Sequence, residues 1–126
     1  MNIFTFHNYY QIPGGEDKSH QQEIELLKKY GHEISEFNFH NNSINSKNLI
    51  KISLNSIWSI PIYKEFDKTF STNKPDLIIC QNFFPLISPS LFFAAKNNNI
   101  PIILFLRNYR LFCLNGFALL NGIVCE

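Results

Sequence analysis

Four short stretches hold the side chains that can do chemistry. The first, HNYYQIPGGED at residues 7–17, puts His7 beside Asn8 and two tyrosines and sets Gly14 and Gly15 ahead of two carboxylates. Histidine exchanges protons near neutral pH, yet a lone one is more often a hydrogen-bonded structural residue. Glycine permits positive φ and close approach to the backbone, and the N–H groups at a helix start attract anions. Glu16 and Asp17 already bring negative charge to that start, and the spacing is neither a Walker loop nor G-x-G-x-x-G. The double glycine therefore reads either as a tight turn or as the wall of a cleft. In PDLIICQN, residues 75–82, Gln81 and Asn82 are amides that bond hydroxyl groups and are neither acid nor base. In FLRNYRLFC, residues 105–113, Arg107, Asn108, Tyr109 and Arg110 are adjacent. A guanidinium keeps its charge at every relevant pH, so Arg107 is no general base, but it can pair with a phosphate. Arg110 reads equally well as a snorkelling surface residue. Cys113 and Cys125 are too few thiolates for a four-ligand zinc site; they read as small buried side chains, and no metal is expected. His20, His32 and His40 read as helix-face, turn and strand-end residues.

The elements around these stretches alternate. NIFTF, residues 2–6, is a short apolar strand. DKSHQQEIELLKKY, residues 17–30, is a helix whose apolar stripe is Ile24, Leu27 and Tyr30, widened by Leu26, with Gly31 placed to end it. HEISEFNF, residues 32–39, alternates as a second strand, and residues 40–47 are loop-like. NLIKISLNSIW, residues 48–58, has Ile50, Leu54, Ile57 and Trp58 at helical spacing, and Pro61 breaks that helix. Tyr63, Phe66 and Phe70 mark one face of the helix that follows, and Leu77 to Cys80 form a buried strand. Ser88 and Pro89 predict an N-cap and first helical residue, and Asn97 to Asn99 the helix end. IPIILFL, residues 100–106, is the longest apolar run and predicts a central parallel strand. Asn121-Gly122 is a hairpin turn signal.

Strand, helix, strand, helices, strand, helix, strand predicts an α/β, Rossmann-like three-layer domain with a parallel sheet covered on both faces. Such sheets bind ligands beyond the carboxyl ends of their strands. Those ends are HNYYQIPGG, FHNN, QNFFPLIS and RNYRLFC, which is where the chemically capable residues lie. Four parallel strands are fewer than a doubly wound domain usually carries, so the chain reads as the front part of something longer.

The chain's 126 residues suit one small domain, and 45% apolar content can build a core. A net charge of +1, from 11 basic and 10 acidic residues, gives no footprint for nucleic acid. No apolar run approaches the roughly 18 residues that span a bilayer. MNIFTFHNYY lacks a basic and then apolar leader, which sets the expectation of a cytoplasmic protein. Three cysteines, an odd number, predict no disulfide framework.

Three segments, taken in order, carry a resemblance: HNYYQIPGGEDKSHQQEIELLKKYGHEI, PDLIICQNFFPLISPSLFFAAKNNNIPII and RNYRLFCLNGFALLNGIVCE. They resemble the N-terminal domain of family-4 glycosyltransferases of the GT-B fold, nucleotide-sugar-dependent enzymes of which many serve bacterial polysaccharide and lipopolysaccharide assembly. The likeness covers nearly the whole chain and is loosest over residues 40 to 73. It implies two Rossmann-like domains facing across a cleft, the first mainly holding the acceptor and the second the nucleotide-sugar through a Glu-x7-Glu motif. Residues 1–126 would then be the acceptor-side domain, an incomplete N-terminal half without its donor domain. The implied reaction is retaining transfer of a sugar from a nucleotide-sugar to a glycan or lipid-linked acceptor. It needs no further cofactor, is compatible with peripheral association at the inner face of the membrane, and is not expected of the isolated chain. Substrate binding would fall to His7, Gly14, Gly15, Gln81, Asn82, Arg107, Asn108, Tyr109 and Arg110.

The chain departs from the family pattern at three places. Where the family has His-Asn-Tyr-Arg, with the histidine close to the transferred sugar, Arg107 stands in the histidine's place. Where it often has Pro-Asp-x-x-His-x-His-Asn, Ile79 and Gln81 replace both histidines and Asn82 remains. A relaxed acceptor preference and an inactive copy both account for this. A different class of function is a binding module that pairs with a separately encoded donor domain through strand-end aromatics such as Phe83, Phe84 and Tyr109. A generic flavodoxin-like or nucleotide-binding domain would want a glycine fingerprint that this chain lacks.

Overall fold

The first strand outruns its apolar core: β1 (Asn2–Tyr9) is an eight-residue strand whose inner six residues are buried, polar Thr5, His7 and Asn8 included. A computed structural model describes residues 1–12, 14–44, 49–109, 111–113, 116 and 118–124. After β1 come α1 (Gly15–Lys29), β2 (Glu33–His40), a 3-10 turn (Asn41–Ser43), α2 (Leu49–Ile57), α3 (Ile60–Thr72), β3 (Leu77–Asn82), α4 (Ser90–Asn97) and β4 (Ile102–Leu104). The sheet order is β2-β1-β3-β4 with every pairing parallel. This α/β arrangement, four parallel strands flanked by helices, is consistent with a Rossmann-like fold.

Alternation along β1 divides the interior in two. Phe4 and Phe6 point to one face, where Ile62, Phe66 and Phe70 of α3 and Leu91, Ala94 and Ala95 of α4 complete the main apolar cluster. Ile3, Thr5 and His7 point to the other, beneath Asp17, His20 and Ile24 of α1. Gly31, at φ +80°, ends α1 as expected: its N–H donates to the Lys28 carbonyl (3.0 Å) and the His32 N–H to that of Leu27 (3.2 Å). Leu26 and Tyr30, read as part of the apolar stripe, are exposed instead, because the buried face of α1 runs Asp17–His20–Ile24 and is largely polar. His20, read as an ordinary helix-face residue, is buried.

Pro61 sits in the first turn of α3 rather than merely stopping α2. The chain breaks at Trp58–Ser59, and the Ser59 hydroxyl caps α3 by accepting the Ile62 N–H (3.4 Å). Ser88 stands one residue outside its expected cap position, at φ +68°, with Pro89 at the cap. Its hydroxyl still accepts the Ser90 N–H (3.3 Å) and also that of Ser59 (3.1 Å), tying the start of α4 to the start of α3.

Two expectations about burial are corrected. The apolar stripe of α2 faces solvent: Ile50 is 81%, Leu54 64% and Ile57 71% exposed, while Ile52, Asn55 and Ser56 are half-buried. Periodicity identifies an apolar face but not what lies opposite it; here α3 and α4 already fill the space over Phe4 and Phe6. The run 100–106 is likewise not a central strand. Only Ile102–Leu104 pair, with β3, and among the described residues this strand lies at the edge of the sheet with Ile103 exposed. An unbroken apolar run reports neither burial nor position in the strand order: of residues 100–106 only Ile100 is buried. The hairpin forms as expected: β5 (Leu119–Leu120) and β6 (Ile123–Val124) are antiparallel across Asn121 (φ +53°) and Gly122 (φ +81°). Among the described residues, no helix is long and apolar enough to cross a membrane.

Candidate functional site

Strand order fixes where a ligand fits. Neighbouring strands β1 and β3 send their following helices to opposite faces, α1 to one and α4 to the other, which opens a crevice beyond their carboxyl ends. Buried amides hold its floor. Asn8 Nδ2 donates to Asn41 Oδ1 (2.8 Å) and to the Phe84 carbonyl (2.7 Å), and Asn82 Nδ2 donates to the Asn8 carbonyl (2.7 Å). Asn8, Asn41 and Asn82 thus pin the ends of β1, β2 and β3 together. Asn82 also lines a smaller cavity of about 270 Å³ together with Gln81, Phe83 and Arg107.

The larger cavity, about 690 Å³, is walled by segments that follow three strands. After β1 come Tyr10, Ile12 and the start of α1 at Gly14, Gly15 and Glu16; after β2 comes Asn41; after β4 come Arg107, Asn108 and Tyr109. Glu16 is its polar centre. Its Oε2 accepts from the Tyr10 hydroxyl (2.7 Å) and from Asn108 Nδ2 (3.4 Å), while its Oε1 is buried and has no hydrogen-bond partner among the described residues.

Neither glycine is required by the fold. Gly14 is extended (φ −118°, ψ −175°), Gly15 is helical, and a Cβ on either would meet nothing within 4 Å. The tight-turn reading therefore loses its physical basis, and what the glycines leave is open space against the cavity. The Gly14 N–H is already engaged, donating to Asp17 Oδ2 (2.9 Å), so this helix start is partly satisfied by its own carboxylate.

His7 does not reach either cavity. It is fully buried under α1, with Nε2 2.8 Å from Asp17 Oδ1 and its ring stacked on His20 at 4.4 Å. Burial pushes the His20 pKa down to about 4, helped by His7 and opposed by Glu36, Asn38 and Asp17. The unfolded chain takes up this proton near 6.5 and the folded chain only near 4, so the linked stability is complete above 6.5 and is lost as pH falls through that window. The loss is at most about 3 kcal/mol. Urea unfolding at pH 7 and pH 5 is expected to show it, and His20→Leu to flatten it; an equal acid loss in the variant would refute the assignment.

Gln81 lies on the α1 face of the sheet by strand alternation, two residues after Ile79, which pairs with Thr5. The β1–β3 register runs Phe6↔Cys80 and then His7↔Asn82, leaving Gln81 as the extra residue. Its Oε1 accepts from Arg107 Nε (3.0 Å) and its Nε2 donates to Glu23 Oε2, while Glu23 Oε1 pairs with Arg107 Nη2. The Arg107 guanidinium also lies 5.1 Å over the Phe105 ring.

Of the residues expected to bind substrate, the structure brings Gly14, Gly15, Arg107, Asn108 and Tyr109 to the larger cavity. Gln81 and Asn82 lie at the adjoining smaller one and His7 lies beneath. Arg110 and Cys125 lie outside the described residues. Cys80, buried in the core, has its thiol pKa pushed up by burial, so it stays protonated. Sequence reasoning overlooked Tyr10, Asn41 and Glu23, and treated Glu16 only as charge. Tyr10 and Asn41 stood within the strand-end segments; Glu23 carried no local signal. Phe83 is half-buried against Phe92 (5.4 Å), whereas Phe84 and Tyr109 are exposed. No family model matches the chain, and neither a curated protein nor a solved structure does.

Proposed function

We propose that this chain is the acceptor-side part of a retaining glycosyltransferase, and that its larger cavity holds a saccharide portion of a glycan or lipid-linked acceptor. The observation that carries the reading is the cavity's chemistry. The phenol of Tyr10, the amide of Asn108 and the Glu16 carboxylate form a set suited to hydroxyl groups, with Tyr109 offering ring surface. The open backbone at Gly14 and Gly15 leaves room for a sugar ring. The nucleotide-sugar would be held by a second domain, and stabilisation of the leaving diphosphate would come chiefly from positive groups and helix starts there. A guanidinium serves as a fixed cation, so the part of Arg107 is to orient the acceptor rather than to act as base.

Amide-detected NMR titration of the 126-residue chain tests this. Neutral saccharides at millimolar concentration should shift Gly14, Gly15 and Asn108, uridine diphosphate should shift them less, and no sugar should be transferred from a nucleotide-sugar. Tighter binding of uridine diphosphate than of any saccharide, or turnover by this chain alone, would contradict it.

A second reading, a binding module that docks on a separately encoded donor domain, draws on the exposed apolar side chains of Ile50, Ile57, Phe84, Ile103 and Phe112. A clean folded monomer by gel filtration counts against an obligate partner.

A further inference from the structure

Arg107 stands on the wall shared by the two cavities and is the cation among the described residues lining them. A guanidinium there would ordinarily make an anion site, because its fork matches phosphate and carboxylate. A ring of three side chains from three elements opposes this. Glu23 comes from α1, Gln81 from the bulge of β3, and Arg107 from the segment after β4. Glu23 accepts from Arg107 through one oxygen and from Gln81 through the other, and Gln81 accepts from Arg107, so the three hydrogen bonds close a ring. Each member orients the next.

The ring has no net charge. Its carboxylate and guanidinium side chains are only 30% and 26% exposed, so solvent screens them less than a pair in open water. Glu16 adds a second carboxylate on the cavity wall. An incoming phosphate meets a guanidinium whose charge Glu23 already balances and approaches two negative charges, whereas a neutral polyol meets no such opposition. Strand alternation is part of the arrangement: Gln81 follows Leu77 and Ile79 at two-residue spacing, on the sheet face that α1 covers.

We propose that Glu23 is a specificity-determining residue: it closes Arg107 into a neutral ring with Gln81 and so sets the cavity against anionic ligands. This rests on the cavity being the ligand site proposed above, and it adds the selection rule of that site. Glu23 does not touch the ligand; it acts through Arg107.

The test is a titration of the full chain with inorganic phosphate, read by amide and guanidinium NMR. Wild type is expected to show weak binding with no shift of the Arg107 side-chain signal. Glu23→Gln, which keeps the side chain's shape, and Glu23→Ala, which removes it, should each bind phosphate about tenfold more tightly, as expected for losing one like charge beside the site. The gain should fall with added salt and should vanish when Arg107→Gln is combined with either. Partial exposure of Glu23 on α1 makes at least one of the two variants tolerable to the fold, which the amide spectrum checks. No gain in folded variants, a gain that survives Arg107→Gln, or wild-type binding as tight as the variants' would each overturn the proposal. Phosphate is read without any saccharide, so absence of saccharide binding alongside an intact phosphate gain would refute only the acceptor reading.

Discussion

Phe66→Ala is expected to lower the stability of the domain by about 3–5 kcal/mol. Phe66 is 1% exposed on the inner face of α3, edge-on to Phe6 (4.8 Å) and Phe37 (5.2 Å) and 5.8 Å from Phe70. Truncation removes transfer free energy and leaves a void that rings held by β1, β2 and α3 cannot collapse into, because each is fixed by its own strand or helix. A domain of this size holds about 5–15 kcal/mol in total, so one side chain decides whether it stays folded on modest warming. Urea unfolding should show a lower midpoint with an unchanged slope. Ile50→Ser on α2 is the control, since Ile50 is 81% exposed and its loss should change stability by no more than about 0.5 kcal/mol. Comparable losses in both variants would mean that α2 packs on the core after all.

The contrast between Phe66 and Ile50 marks where sequence reasoning succeeds and stops. Both lie in helices with clear apolar periodicity, and nothing local separates them. Burial of the α3 face and exposure of the α2 face are decided by competition for the surface over Phe4 and Phe6. Features held by a few adjacent residues were legible: the apolar run of β1, the Gly31 helix end, the Asn121-Gly122 turn. From these the strand-end position of the cavity followed, because a parallel sheet gathers its carboxyl ends on one side. What joins distant positions was not legible. Glu23 and Arg107 are 84 residues apart, and the bulge at Gln81 exists only in the pairing of β1 with β3. His20 was hidden for a related reason: in isolation α1 presents it beside other polar residues, and only the buried His7–Asp17 pair makes that side an interior.

Gly15→Leu is expected to leave the fold as stable as wild type or slightly more so, while weakening saccharide binding by about 100-fold, the scale at which a side chain occupying ligand space excludes it. The two effects have opposite signs for one physical reason. Gly15 opens α1 in helical conformation, and a Cβ there would have no neighbour within 4 Å, so the folded chain gives up nothing when a side chain is added. Glycine in a helix costs roughly 0.5–1 kcal/mol relative to alanine through the freedom of the unfolded chain, less at the first helical position, so replacement stabilises if it does anything. The added side chain enters the cavity that Gly14, Gly15 and Glu16 wall. Gly15→Ala grades the effect: one methyl should cost only a few-fold in affinity. If the double glycine served a turn, both variants would instead lower the unfolding midpoint, and affinity would fall only in step with the folded fraction. Thermal unfolding and saccharide titration on the same samples separate the two, because a turn glycine links fold and binding with the same sign and a cleft glycine links them with opposite signs.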